Sequence, residues 1–208
     1  MGRSMLICVL AATCWAQSPP LDPELGFEGT QRATGIRGWF EQPAGISFAD
    51  SQIVHSGRYS GRIEGRAVGP VSLIMRILPI DFYAGFIELR AYVRTENVTG
   101  GLRIWAREDG QLSAISSAQS FPVKGTTAWT EHSLRLAIHP EGQQISYGFF
   151  VEGTGRAWID DIQILPDAKP ISEARKGRGV DNTKPFPDTP NPPPTAGSKE
   201  QAPKNTPQ

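Results

Sequence analysis

The chain has 208 residues, with 21 Lys and Arg balanced by 21 Asp and Glu. That length suits one domain with appendages, and the charge balance argues against a nucleic-acid binder or a polybasic membrane protein. The 22 Gly and 18 Pro are high for a helical protein and suit a many-turned β protein with a flexible end.

Residues 1–16 read as an export signal. Arg3 gives a positive start, Met5-Leu6-Ile7-Cys8-Val9-Leu10-Ala11-Ala12 is an apolar run, and Ala16 precedes the proline-rich Gln17-Ser18-Pro19-Pro20. The run falls far short of the ~20 residues that cross a bilayer, so cleavage near Ala16 is expected; a buried N-terminal strand or helix is the other reading. The mature chain is then exported to a periplasmic, cell-surface or extracellular location, with no transmembrane segment. Cys8 and Cys14 both lie in this segment, leaving the mature chain without a disulfide or a thiolate metal site. Alternatively, Cys14 is the lipidated first residue of a bacterial lipoprotein, although Ala11-Ala12-Thr13-Cys14 fits that box loosely.

A linker over 17–24 leads into the folded domain, 25–165, which is long enough to bury about 68–70% of its unfolded surface. Its dominant period is two. Leu89–Arg94, Leu102–Arg107, Ser133–Ile138, Ile145–Val151 and Ala157–Ile164 alternate as strands. Between them stand turn signals at Asn97–Gly101, Asp109-Gly110, Lys124-Gly125-Thr126 and Gly153-Thr154-Gly155. Short strands at this spacing predict an all-β antiparallel β-sandwich or barrel.

One hairpin is predicted in detail. A turn at Asn97-Val98-Thr99-Gly100 sets Tyr92 opposite Trp105, Arg94 opposite Arg103 and Arg90 opposite Arg107, all on one face. Leu89, Ala91, Val93, Ile104 and Ala106 then point to the core, and a one-residue slip reverses the assignment. Rings flanked by guanidinium groups suit stacking on a sugar with hydrogen bonds to its hydroxyls, anionic glycans above all. The competing reading is packing: Trp105 half-buried and the arginines solvated or stacked on rings, with Glu88 and Asp109 relieving their charge. Asn97-Val98-Thr99 also matches a glycosylation sequon.

Residues 166–208 hold ten prolines, including Pro192-Pro193-Pro194, and one aromatic residue, Phe186. Such a segment cannot bury enough surface to offset ordering, so a disordered Pro-rich C-terminal tail is expected.

Several segments, in order, resemble the jelly-roll modules of the cellulose-binding CenC type, within the galactose-binding-like sandwiches. Leu25-Gly26-Phe27-Glu28-Gly29 with Gly38-Trp39 resembles their first strand. Asp50 with His55-Ser56-Gly57-Arg58-Tyr59-Ser60 resembles the second, and Gly153–Ile162 the last. Ala91–Gly100 and Lys124–Thr130 are similar to a bacterial subgroup. The resemblance covers 25–165 and implies a jelly roll in which aromatic platforms bind saccharide chains, or which only packs against a partner. It also implies a structural Ca²⁺ held by Glu28 and by Asp160 or Asp161, with carbonyls near Ser56–Arg58. The alternative is a carboxylate set paired with Arg58 or Arg62.

Catalysis is not expected. The sequence has no Gly-x-Ser-x-Gly elbow, His-Glu-x-x-His, P-loop or dinucleotide fingerprint, and His55, His132 and His139 lack ligand-like spacing. Glu28 with Asp160 or Asp161 is a conceivable glycosidase pair only across a cleft. The reading is an exported, non-catalytic carbohydrate-binding β-sandwich module whose partner is a polysaccharide or glycoconjugate. The alternative is a structural or protein-interaction domain of the bacterial cell envelope, with an envelope protein as partner and the tail as tether.

Overall fold

The structure is a computed structural model that describes residues 25–28, 35–69 and 71–176. The expected signal, the 17–24 linker, both cysteines and residues 177–208 lie outside the described residues. Nine strands follow in order: β1 (Phe40–Gln42), β2 (Ser47–Asp50), β3 (Ser60–Gly65), β4 (Ser72–Pro79), β5 (Phe86–Asp109), β6 (Ala114–Gln119), β7 (Val123–Ala137), β8 (Gln144–Glu152) and β9 (Gly155–Pro166). A short helix, α1 (Ile171–Lys176), closes the described chain. No helix among the described residues is long and apolar enough to cross a membrane.

All strand pairs are antiparallel, in the order β1-β4-β8-β5-β9-β3-β2, with β6 and β7 also on β5. The 24-residue β5 organises the molecule because it changes neighbours midway. Its first half, 86–96, runs between β7 and β9; its second half, 101–109, runs between β6 and β8. The ladder therefore folds into two layers, one of β2-β3-β9-β5-β7 and one of β1-β4-β8-β5-β6. This is the all-β sandwich expected from the period-two pattern.

The predicted hairpin does not form. Asn97–Gly101 is where β5 passes from one layer to the other. Val98 is buried there and pairs with Gly125 of β7. Gly101 has φ +138°, which a side chain would strain, and a Cβ at Gly100 would strike the Glu152 carbonyl at the end of β8. The adjacent glycines serve a crossing.

The alternation itself holds. Leu89, Ala91, Val93, Ile104 and Ala106 are buried, with Ile63 and Ile159 from the first layer and Ile74, Ile145 and Phe149 from the second. Phe27 and Trp39 join the layers, their rings stacked with centroids 5.6 Å apart. Trp39 reaches Tyr147 and Phe149 of β8, while a Cβ at Gly61 of β3 would meet the Phe27 ring. Leu25–Phe27 forms a turn rather than the expected first strand, yet still delivers its side chains to the core.

The folded domain runs past the expected boundary at 165. β9 extends to Pro166, Ile171 of α1 is buried, and Arg175 pairs with Asp81 at 2.7 Å. Ile171, the Arg175–Asp81 ion pair and the hydrogen bonds of Asp167 with Gly85 and Phe86 hold a segment whose composition resembles tail, so residues 166–176 belong to the domain.

Candidate functional site

The six residues expected on one face are divided between two. Arg90, Tyr92 and Arg94 stand on the outer face of the first layer, where Tyr92 lies between Glu131 of β7 and Asp160 of β9. Arg103, Trp105 and Arg107 stand on the outer face of the second, where Trp105 lies between Gln119 of β6 and Gly148 of β8. Tyr92 and Trp105 form no common platform, because each half of β5 has partners of its own.

The first outer face is occupied by the chain itself. After β2, residues 51–59 reach over β9 to Tyr92, and the His55 ring stacks on Tyr92 while meeting Trp129 edge-on at 5.6 Å. Carboxylates fix this segment. Asp160 Oδ2 accepts the His55 and Ser56 backbone N–H groups at 2.8 and 3.1 Å. Asp161 takes His55 Nδ1 and Ser56 Oγ, each at 2.6 Å. Glu28 Oε1 accepts the Arg58 and Tyr59 N–H groups. Burial pushes the Asp160 carboxyl up to about 6, its three N–H donors offsetting that in part and the neighbouring Asp161 charge adding to it.

Beside it, the buried Trp158 donates its indole N–H to Asp50 Oδ2 at 3.0 Å. Burial pushes Asp50 upward, but this bond, the Gln52 and Ile53 amides and Arg62 outweigh it and hold the carboxyl below its usual range. Arg94 lies over the Trp158 ring. Arg90 pairs with buried Glu88 at 2.7 Å; that bond, against burial and helped by Arg135, holds Glu88 low.

Glu28, Asp160 and Asp161 as arranged do not fit the calcium ion that the resemblance implies. Ca²⁺ needs 6–8 oxygen ligands, whereas these carboxylates receive N–H and O–H donors, and residues 55–59 turn amides toward them. Among the described residues, no group of three or more His, Cys, Asp or Glu side chains is placed to hold a metal. Nor do Arg58 and Arg62 serve as the alternative cations: Glu28 binds the Arg58 amide, and Arg62 pairs with Asp50 and Glu64.

The second outer face is different. Residues paired across an antiparallel ladder share a face, so register alone aligns Phe40, Met75, Gly148, Trp105 and Gln119 in a row across β1, β4, β8, β5 and β6. Five strands at about 4.8 Å spacing give a row about 19 Å long. A parallel row holds Gln42, Leu73, Phe150 and Arg103; another holds Ile77, Ser146, Arg107 and Ser117. Phe40, Leu73, Met75, Ile77, Phe150 and Trp105 are all part-exposed. Gly148 leaves a gap between Met75 and Trp105, and a Cβ there would run into the Ile74 carbonyl.

The charges on this face are balanced. Arg107 pairs with Asp109 at 2.8 Å and lies over the Trp105 ring, while Arg103 pairs with Glu152 at 3.6 Å and donates to the Ser120 carbonyl. At one end, a hollow of about 390 Å³ is lined by Met75, Ile77, Arg107, Asp109, Leu112 and Ser146, among others.

Phe40, Met75, Gly148 and Phe150 are absent from the residues singled out by sequence. The signal was present in Leu73, Met75 and Ile77, which alternate with Ile74, Arg76 and Leu78: a strand whose second row is also apolar has either two buried faces or an open apolar one.

No family model and no curated protein matches the chain. Among solved structures, it is similar to a cyclase from Fischerella sp. TAU, at 12% identity over 69% of this chain and 94% of that one, with a TM-score of 0.52. It is also similar to TmCBM61, solved in complex with β-1,4-galactotriose (14% identity, 72% and 99% covered, TM-score 0.48). A third is the CBM22-1 xylan-binding domain of Paenibacillus barcinonensis Xyn10C (13%, 67% and 89%, TM-score 0.47). At such identities the likeness is one of fold alone, and the chain is an all-β antiparallel sandwich of jelly-roll type.

Proposed function

We propose that this protein binds a polysaccharide across the outer face of the β1-β4-β8-β5-β6 layer, without chemistry on the bound chain. The observation that carries the reading is the row Phe40, Met75, Trp105, Gln119 with the Gly148 gap in its middle. Sheet faces turned to solvent ordinarily carry polar side chains. Here an indole and several aliphatic groups offer a part-exposed platform for the C–H faces of sugar rings, and the exposed Gln119 and Ser117 offer hydrogen bonds at its margins. Because Arg103 and Arg107 already have carboxylate partners, the ligand is a neutral glycan rather than the anionic one first expected. The export pattern of residues 1–16 supports a site of action outside the cytoplasm.

The test is a glycan array followed by calorimetry on the best binder. Trp105→Ala is expected to weaken binding about tenfold or more, the loss of about 1.4 kcal/mol, with circular dichroism unchanged, while Tyr92→Ala leaves affinity intact. A full chain that binds no glycan on the array overturns the reading and favours the envelope interaction domain instead.

A further inference from the structure

A cavity of about 650 Å³ opens at one end of the sandwich, between residues 80–85 and 138–142. It is separate from the Trp105 face, and its lining includes Ile80, Phe82, Tyr83, Ile138, His139 and Asp167. That volume lies within the roughly 300–1,000 Å³ of ligand pockets, and its lining is about evenly polar and apolar.

Those polar groups are positioned from behind. Glu108 is fully buried at 0% exposure. It accepts the His139 backbone N–H at 2.7 Å and Ser116 Oγ at 3.1 Å, and pairs with His139 Nδ1 at 2.7 Å. Burying a carboxylate is costly without such partners, and here they hold the imidazole by Nδ1 on a residue that lines the pocket. The bond to Glu108, opposed by slight burial, raises the His139 pKa above its ordinary value. Across the pocket, Asp167 accepts the Gly85 and Phe86 N–H groups at 3.0 and 3.3 Å. Asp167 and Ala168 have φ +46° and +61°, strained values for side-chain-bearing residues that concentrate where a site is held in shape. At the mouth stands Tyr83, 75% exposed.

We infer that this end pocket is a second binding site, which takes a single polyhydroxylated ring such as the terminal pyranose of a glycan. Tyr83 supplies a flat surface for the ring's C–H face, Ile80, Phe82 and Ile138 line the floor, and His139 Nε2 and Asp167 meet hydroxyls. A hydroxyl both donates and accepts, so it satisfies Nε2 in either protonation state.

The test follows backbone amide shifts by NMR as the full chain is titrated with the methyl glycosides of glucose, galactose, mannose and xylose. At least one glycoside is expected to shift residues 80–85 and 138–142. Tyr83→Ala and His139→Ala should each weaken it about tenfold, whereas Trp105→Ala leaves it unchanged. The inference is overturned if no glycoside moves these amides, if the shifts fall on Met75, Trp105 and Ser146, or if both pocket variants bind as the parent does. Because the probes are monosaccharides and the control is Trp105, failure here is distinct from failure of the polysaccharide site.

Discussion

The imidazole of His55 lies flat against the phenol ring of Tyr92, with centroids 3.7 Å apart and planes 13° from parallel. An aromatic residue that sequence alone offered as a sugar platform is thus covered by its own chain. His55→Ala removes this stack and the contact with Asp161. Such pairs contribute about 0.5–1.5 kcal/mol beyond area burial, so a fall in Tm of roughly 2–6 °C is expected for a domain of this size. Thermal unfolding followed by circular dichroism measures it, and glycan affinity should not change.

Neighbours on β4 should separate stability from binding. Ile74 is fully buried, whereas Met75 is part-exposed on the outer face. Ile74→Ala should cost about 2–5 kcal/mol, as core truncations do. Met75→Ala should cost under about 1 kcal/mol yet weaken polysaccharide binding. Urea unfolding and calorimetry on both variants check the contrast; equal destabilisation by the two would show that Met75 is core.

Asp160 is expected to make stability decline as pH rises from about 4 to about 6. The folded value of Asp160, about 6, lies above its unfolded 3.8. The native state therefore holds that proton more tightly, and stability falls as pH rises between these values. His139 works in the same direction: its pKa is raised, so the stabilisation from Glu108 is complete below the unfolded 6.5 and fades as pH climbs through the folded value. Asp50 and Glu88 are lowered instead, so their contribution is present above their unfolded values and is lost only in stronger acid. Melting curves across the range test this, and Asp160→Asn should flatten the slope between about pH 4 and 6.

Chelation should leave the melting temperature unchanged. An ion bound only by the folded state and present at 100 times its Kd would add about 2.7 kcal/mol, a difference easily seen on adding calcium to EDTA-treated protein. No such gain is expected, since His55, Ser56, Arg58 and Tyr59 already satisfy the carboxylates.

The strands of this domain were readable because alternation is local. From Leu89 to Val93 and again at Ile104 and Ala106, every second residue is buried, and no knowledge of partners is needed to see it. Partners were not readable. Two alternating runs joined by Asn97-Val98-Thr99-Gly100-Gly101 look like a hairpin, and only β7, β8 and β9, supplied from at least 20 residues further along, make the other topology better. The Trp105 face suffered most from this. Register brings it together from five strands spread between Phe40 and Gln119 and on to Gly148, and its apolar members look like core until the layer containing them is known. Residues 171–176 failed for a related reason: one buried Ile and one Arg paired with the distant Asp81 leave no compositional trace.

A strand shared by both layers also governs how the molecule comes apart. The backbone of residues 86–109 is hydrogen-bonded to β9 in one layer and β8 in the other, so neither layer can peel away without pulling the common strand from its remaining neighbours. Loss of either layer strips the other's central strand of support, and the domain should melt in one cooperative step instead of shedding one sheet first.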